Sequence, residues 1–172
     1  MADQGPQSNS FKNLMKRIAS IKPVTWVYSK TLHHFDSTVL RMSGGQATLT
    51  SVLTGLPIVT LTAKGVKSGQ PRSVPLIGIP DGDKVVLIAT NWGQKSYPSW
   101  YFNLRACPEA TVTLKGETRI LIAREADPAE RERYWPLAVK YYPGYDRYKE
   151  RIGDSRKIPI MVLEPKPPFS QN

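Results

Sequence analysis

The chain of 172 residues contains one cysteine and two histidines. A lone thiol, Cys107, excludes an internal disulfide. It stands between a predicted helix and Pro108, where a buried, inert thiol is the expected reading. His33 and His34 are adjacent, so they cannot share one helix face as metal ligands. A histidine-dependent metal centre or catalytic triad is argued against, and acid–base work falls to Tyr, Lys, Ser or carboxylates. The G-x-S-x-G elbow, the Walker loop and the G-x-G-x-x-G fingerprint are all missing. No run approaches the roughly 18 apolar residues that span a bilayer. The first ten residues are polar and carry no signal core, so a cytoplasmic location is expected. Acids are scarce, 14 against 24 Lys and Arg, giving a net charge of +10. The excess is spread along the chain and favours anionic partners, whether phosphate-bearing ligands, acidic lipid or nucleic acid. No nucleic-acid motif accompanies it, so nucleic acid is not an expected partner.

What is present fits one domain with a substantial core: 40% of residues are hydrophobic and four are tryptophan. Residues 1–9 read as disordered, 10–45 as a helical segment, 46–166 as the main domain and 167–172 as a tail. Phe11, Leu14, Met15, Ile18 and Ile21 form one helical stripe flanked by Lys12, Lys16, Arg17 and Lys22. A basic amphipathic helix of this kind, over residues 11–22, can rest on the inner face of the plasma membrane or pack on its own domain. Pro23 ends or kinks it, and a second helix is predicted from Val24 to Met42.

The middle is rich in strand signals. Runs are predicted over Leu56–Thr62, Val74–Ile79, Lys84–Thr90, Thr111–Lys115, Thr118–Arg124 and Ile158–Leu163. Helices are predicted from Pro98 to Ala106, with Ser96 or Tyr97 as cap, and from the capping box Asp127 to Glu130 onward, kinked at Pro136. Tyr142 to Tyr145 is a break, followed by a turn or two of helix over Asp146–Ile152. About six strands joined by short hairpins suggest an α+β fold whose mostly antiparallel sheet closes into a barrel.

Two features carry candidate chemistry. The segment Gly65 to Arg72 joins two apolar runs and holds two glycines, Ser68, Lys67 and Arg72. Glycine lets backbone approach a ligand, lysine supplies a point charge and arginine a planar fork for phosphate or carboxylate. The segment reads either as a solvated hairpin turn or as a grip on an anionic cofactor tail. The second feature is aromatic. Trp92 follows a strand, Trp100-Tyr101-Phe102 opens a helix, and Tyr142, Tyr145 and Tyr148 recur every third residue. These rings either fill the core or cover a flat ligand, with phenol hydroxyls as directional donors.

The stretch Leu61 to Leu76, the triplet Asn91-Trp92-Gly93, the segment Pro98 to Leu104 and the segment Tyr142 to Tyr148 together resemble the deazaflavin-dependent nitroreductases and quinone reductases of actinobacteria. The match covers roughly residues 56–165, with the motifs in family order. The resemblance implies a split β-barrel of the FMN-binding type and reduced coenzyme F420 as cofactor, a deazaflavin with a phosphate and a polyglutamate tail. It implies that Val66, Lys67, Ser68 and Arg72 hold the anionic end. Val74, Pro75, Leu76, Ile77, Ala89, Thr90 and Asn91 would line head and linker. Ser99, Trp100, Tyr101, Phe102 and Asn103 would add the amides of a helix N-terminus. Tyr145 would close over the head, and Trp100, Tyr142 and Tyr148 would face the substrate.

The implied reaction is hydride transfer to an electrophilic small molecule: a quinone, a nitroaromatic or an α,β-unsaturated carbonyl. Tyr145, then Tyr142, are the catalytic candidates. Three positions depart from family members: Ile77 stands for a tyrosine, Asn91 for a lysine and Ser99 for a methionine. These changes set quinone or enone reduction ahead of nitro reduction. An FMN-dependent oxidoreductase, a non-catalytic cofactor-binding protein and a nucleic-acid or membrane-surface protein using its charge are the alternatives. The assembly expected is a monomer or a homodimer.

Overall fold

A computed structural model describes residues 55–166. The helices expected over 11–22 and 24–42 and the tail from 167 lie outside these residues. No described helix is long and apolar enough to cross a membrane. The described chain is α+β. Its strands are β1 (Ile58–Lys64), β2 (Pro71–Ile77), β3 (Ile79–Asp81), β4 (Lys84–Ile88), β5 (Glu109–Leu114), β6 (Glu117–Glu125) and β7 (Ile160–Pro165). Helix α1 (Ser99–Ala106) lies between β4 and β5; α2 (Pro128–Tyr141) and α3 (Gly144–Ile152) lie between β6 and β7. All pairings are antiparallel, in the order β2-β1-β5-β6-β7-β4-β3.

Period-two alternation decides which face each strand presents. Val59, Leu61 and Ala63 of β1, Ala110 and Val112 of β5, and Leu121 and Ala123 of β6 share an inner core with Trp100, Tyr101 and Leu104 of α1. Strands β4 and β7 are buried on both faces. Val85, Leu87, Met161 and Leu163 enter the inner core; Val86, Ile88, Ile160 and Val162 pack outward. There they meet Tyr134 and Ala138 of α2, Tyr145, Tyr148 and Ile152 of α3, and Tyr142 between the two helices.

The run Val74–Ile79, expected as one strand, is two strands hinged at Gly78, which brings the described strands to seven rather than six. β2 pairs with β1, while β3 pairs with β4, and these lie at opposite edges of the sheet. A single residue therefore carries the chain from one edge to the other, a step of at most ~7 Å between flanking Cα atoms. The sheet must curl round the inner core for this to happen. Among the described residues the ladder itself does not close, and what they show is a curled seven-stranded antiparallel sheet. Glycine is required at the hinge: a Cβ there would sit 2.5 and 2.7 Å from the two γ-carbons of Val59 and 3.0 Å from Val85 Cγ1.

Other boundaries move for local reasons. β2 begins at Pro71, so Arg72 stands on a strand opposite Ala63 rather than in the turn. Pro98 is the N-cap of α1, with extended ψ of 147° and no side-chain cap, instead of its first residue. Helix α2 runs unbroken through Pro136, whose ring is exposed. Helix α3 begins at Gly144, two residues earlier than expected.

Helix α2 starts at the expected capping box: Asp127 Oδ1 accepts from Glu130 N at 2.8 Å, and Glu130 Oε2 accepts from Asp127 N at 3.0 Å. Glu130 also receives a bidentate pair from Arg124 at 2.6 and 2.7 Å. Arg124 reaches Glu164 at 2.9 Å, and Glu164 takes Lys84 at 2.9 Å. The cluster fastens α2 to β6, β7 and β4. The Arg124 hydrogen bonds hold the Glu130 carboxyl down at about 2 from an ordinary 4.5. In acid the unfolded chain therefore binds a proton that the folded chain resists, so the stability Glu130 contributes is complete above about 4.5 and is lost as pH falls towards about 2. Thermal melts from pH 5 to pH 2.5 are expected to show a smaller loss of midpoint for Glu130→Gln, which keeps the cap but cannot titrate, than for the parent protein.

Candidate functional site

The turn between β1 and β2 is built by its glycines. Gly65 N donates to Gln70 O at 2.9 Å, and Gly69 N donates to Gly65 O at 2.7 Å. Gly69 takes a φ of 67°, the left-handed region glycine tolerates. Gly65 is buried; a Cβ on it would meet Ser68 Oγ at 2.9 Å and Arg72 Cγ at 3.1 Å. Lys67, Ser68 and Arg72 project to the exposed side. Among the described residues neither cation has an acidic partner. The turn is fixed to α1 by one bond: Val66 N donates to the buried Asn103 Oδ1 at 3.0 Å. Asn103 thus orients the turn, and the uncapped first turn of α1, bearing exposed Ser99, starts one helical turn upstream.

The other expected cofactor residues divide between two environments. Val74 and Leu76 are half-buried against the inner core, which also holds Trp100 and Tyr101. Tyr101 is further fixed by donating to Glu125 Oε1 at 2.6 Å. Ile77 packs against the outer cluster with the tyrosines, and Pro75 is half-buried. Phe102 and Val66 are exposed apolar side chains. Phe102 meets Tyr97 edge-on at 5.9 Å, while Tyr97 stacks on Tyr101 at 5.3 Å. Trp100, grouped in the sequence with Tyr142 and Tyr148, lies in the inner core and they lie in the outer one.

The three tyrosines do come together. Centroids lie 5.4 Å apart for Tyr142 and Tyr145, 5.9 Å for Tyr142 and Tyr148, and 6.4 Å for Tyr145 and Tyr148. The hydroxyls of Tyr142 and Tyr148 share a hydrogen bond of 3.1 Å. Gly144 is needed beneath them, since a Cβ there would collide with the Tyr142 ring. Burial pushes all three phenols upward, and their hydrogen bond pushes Tyr148 further. At neutral pH each is a protonated donor rather than a phenolate.

Two further residues shape this region: Arg156, unassigned from the sequence, and Trp92, read there as one of the rings that fill the core or cover a flat ligand. Arg156, in the loop before β7, uses all of its guanidinium nitrogens on backbone carbonyls: Ala89 O at 3.1 Å, Thr90 O at 2.8 Å, Gln94 O at 3.0 and 3.2 Å and Lys157 O at 3.1 Å. Its guanidinium also lies 4.7 Å from the Tyr97 ring centroid. It therefore holds the loop from Ala89 to Tyr97 in place. The second is Trp92. Asn91, Trp92 and Gly93 take φ values of 48°, 58° and 76°, three consecutive left-handed residues. A bulky side chain in that region is an outlier costing about 1–3 kcal/mol. Arg156 carries no periodicity or motif signal of its own, whereas Trp92 lies in the Asn91-Trp92-Gly93 triplet.

The curled antiparallel sheet, with a glycine turn at one end and a buried phenol cluster on its outer face, defines an α+β protein. The model of the F420H(2)-dependent quinone reductase family matches residues 34–165, and the chain belongs to that family of oxidoreductases. An F420H(2)-dependent quinone reductase of Mycobacterium tuberculosis is 30% identical over 110 residues, covering 62% of this chain and 72% of the relative. The structure of an F420-H2 dependent reductase (FDR-A) is 39% identical, with a TM-score of 0.58, and covers 63% of this chain and 94% of that one. A structure described as a domain-swapped dimer is 34% identical, with a TM-score of 0.61, and covers 83% of this chain and 99% of that one.

Arg156→Lys keeps the charge but not the planar fork. It is expected to lower stability by roughly 1–3 kcal/mol in urea unfolding. Amide exchange at Gly93 and Gln94, whose N–H groups close the loop onto Thr90 O and Asn91 O, should quicken in the same variant.

Proposed function

We propose that the protein transfers a hydride from reduced coenzyme F420 to a quinone, with other electrophilic small molecules as secondary acceptors. The observation that carries this reading is the turn from Gly65 to Gln70, with two uncommitted cations beside it, tied through Asn103 to a helix start. That donor set suits an acidic tail: Lys67 offers a point charge, Arg72 a fork, Ser68 a hydroxyl and α1 unpaired amides. Val74, Pro75, Leu76, Ile77 and the carbonyl-rich segment Ala89 to Asn91 would flank the tricyclic head. Bound there, the deazaflavin supplies the hydride. The family and two of the three proteins compared above are named for this cofactor, which is why it is preferred to FMN. The Gly78 hinge between opposite sheet edges supports a split β-barrel as the finer description of the fold. The relative described as a domain-swapped dimer supports homodimerisation. Membrane contact through residues 11–22 rests on their amphipathic pattern alone.

The protein's part in the chemistry falls to the phenols. A neutral hydroxyl, pre-positioned by packing, can donate to the acceptor's oxygen as negative charge develops on it. Tyr145 has the first claim and Tyr142 the second. Both rings are buried, 4% exposed, so they can touch only an acceptor that enters the outer cluster, beside Tyr148. Trp100, in the inner core, lies on the other face of the sheet from that cluster.

The reading is tested by mixing the protein, reduced F420 and menadione and following cofactor reoxidation; binding without reoxidation across several quinones would make it a carrier. Lys67→Ala with Arg72→Ala is expected to weaken cofactor binding by about 2 kcal/mol or more, read from quenching of F420 fluorescence, while leaving the fold intact. Unchanged affinity in that double variant refutes the placement of the tail. Tyr145→Phe is expected to lower turnover about tenfold or more with little change in cofactor affinity. Equal turnover would remove its hydroxyl from the chemistry.

A further inference from the structure

The loop from Thr90 to Ser96 is fastened from every side around a residue that gains nothing from its own backbone. Asn91 Nδ2 donates to Ser96 O and Ser96 Oγ, each at 3.1 Å, and to Gln94 Oε1 at 3.4 Å. Gly93 N donates to Thr90 O at 3.0 Å, and Gln94 N to Asn91 O at 3.0 Å. Arg156 clamps Thr90 O and Gln94 O. Gly93 lies flush on α3: a Cβ there would meet Arg151 Cδ at 3.1 Å and Tyr148 Cα at 3.3 Å. At the apex stands Trp92, in left-handed backbone with a φ of 58°. Trp92 is 41% exposed, in contrast to Trp100 at 7%. The ring is not spent on core packing. It meets Tyr148 edge-on, with centroids 6.4 Å apart and planes at 69°. Among the described residues its N–H donates to no acceptor.

We infer that Trp92 is a substrate-contacting residue that sets acceptor specificity: the strained loop holds out the indole as one wall of the acceptor site, against which the flat ring of a quinone stacks. The inference rests on the reductase reading above. Three features carry it together. An indole presents a broad π-face at low conformational cost, suited to a planar aromatic ligand. It borders Tyr148, a candidate substrate contact, and follows Asn91, a candidate cofactor contact, so it stands where the two ligands would meet. Left-handed backbone with a large aromatic persists only where its surroundings impose it, and such residues gather at ligand sites.

The test uses the full chain, reduced F420 and menadione in steady state. Trp92→Gly removes the ring and relieves the backbone, so its thermal midpoint should equal or exceed that of the parent. Its KM for menadione is expected to rise about tenfold, more than kcat falls, with F420 affinity by fluorescence quenching within about twofold of the parent. Trp92→Phe, which keeps a stacking face, should hold KM within about threefold. Trp92→Asn, which also tolerates left-handed backbone, repeats the measurement without the added flexibility of glycine. A menadione KM unchanged in both ring-less variants overturns the inference, as does a loss of F420 affinity that tracks the rise in KM. Failure of the parent protein to oxidise reduced F420 with menadione is a different result: it removes the reductase reading, and this inference with it.

Discussion

At Gly78 the chain passes between the side chains of Val59 and Val85 with no space for a β-carbon. The rest of the structure depends on that close approach. It lets β2 leave one margin of the sheet and β3 join the opposite margin one residue later, so the sheet must curl. Curling gives it an inside, filled by Val59, Leu61, Leu87, Leu104 and Leu163, and an outside on which α2 and α3 lie. Both environments assigned to the ligand follow: the cationic turn stands at the far end of the same β1–β2 hairpin, and the phenol cluster is the outer layer over β3, β4 and β7. A larger residue at 78 would have to push apart two strands whose packing density leaves no slack.

Onto this frame the protein adds two polar side chains that bond to backbone. Asn103 accepts from Val66 N and sets the turn against α1. Arg156 gathers the carbonyls of Ala89, Thr90 and Gln94 and sets the following loop against the approach to β7. Loops that carry function are ordinarily mobile, and ligand affinity suffers when they must be ordered on binding. Here the bonds from Asn103 and Arg156 fix both segments. Two exposed cations, a cluster of three buried phenols and an exposed indole stand on or beside these fixed segments.

The parts legible in sequence were those decided by local pattern. The continuous apolar run of β4, the Asp127–Glu130 box and the glycines at the β1–β2 turn each announce themselves within a few residues, because the physics that forms them is that short in range. The split of Val74–Ile79 was hidden, since nothing in the run itself says that Gly78 meets Val59 and Val85 from elsewhere. Arg72 looked like a turn residue because the apolar run starts only at Val74, yet the strand begins at Pro71, and proline is acceptable at the start of an edge strand. The three tyrosines were found by their spacing, although Tyr142 precedes the helix that carries the other two. Arg156 gave no sign at all. A single arginine among basic neighbours acquires its role only from five contacts, four of them made across more than sixty positions of chain.

Strand β2 has one further property. Its partner lies on one flank only, and the other flank forms a margin of the sheet among the described residues. Positions 71, 73, 75 and 77 point their amide nitrogens the same way, and two of them, Pro71 and Pro75, have no hydrogen to offer. An intruding peptide would find a ladder with alternate rungs missing and a guanidinium beside it. The molecule thereby discourages strand-to-strand polymerisation along this border.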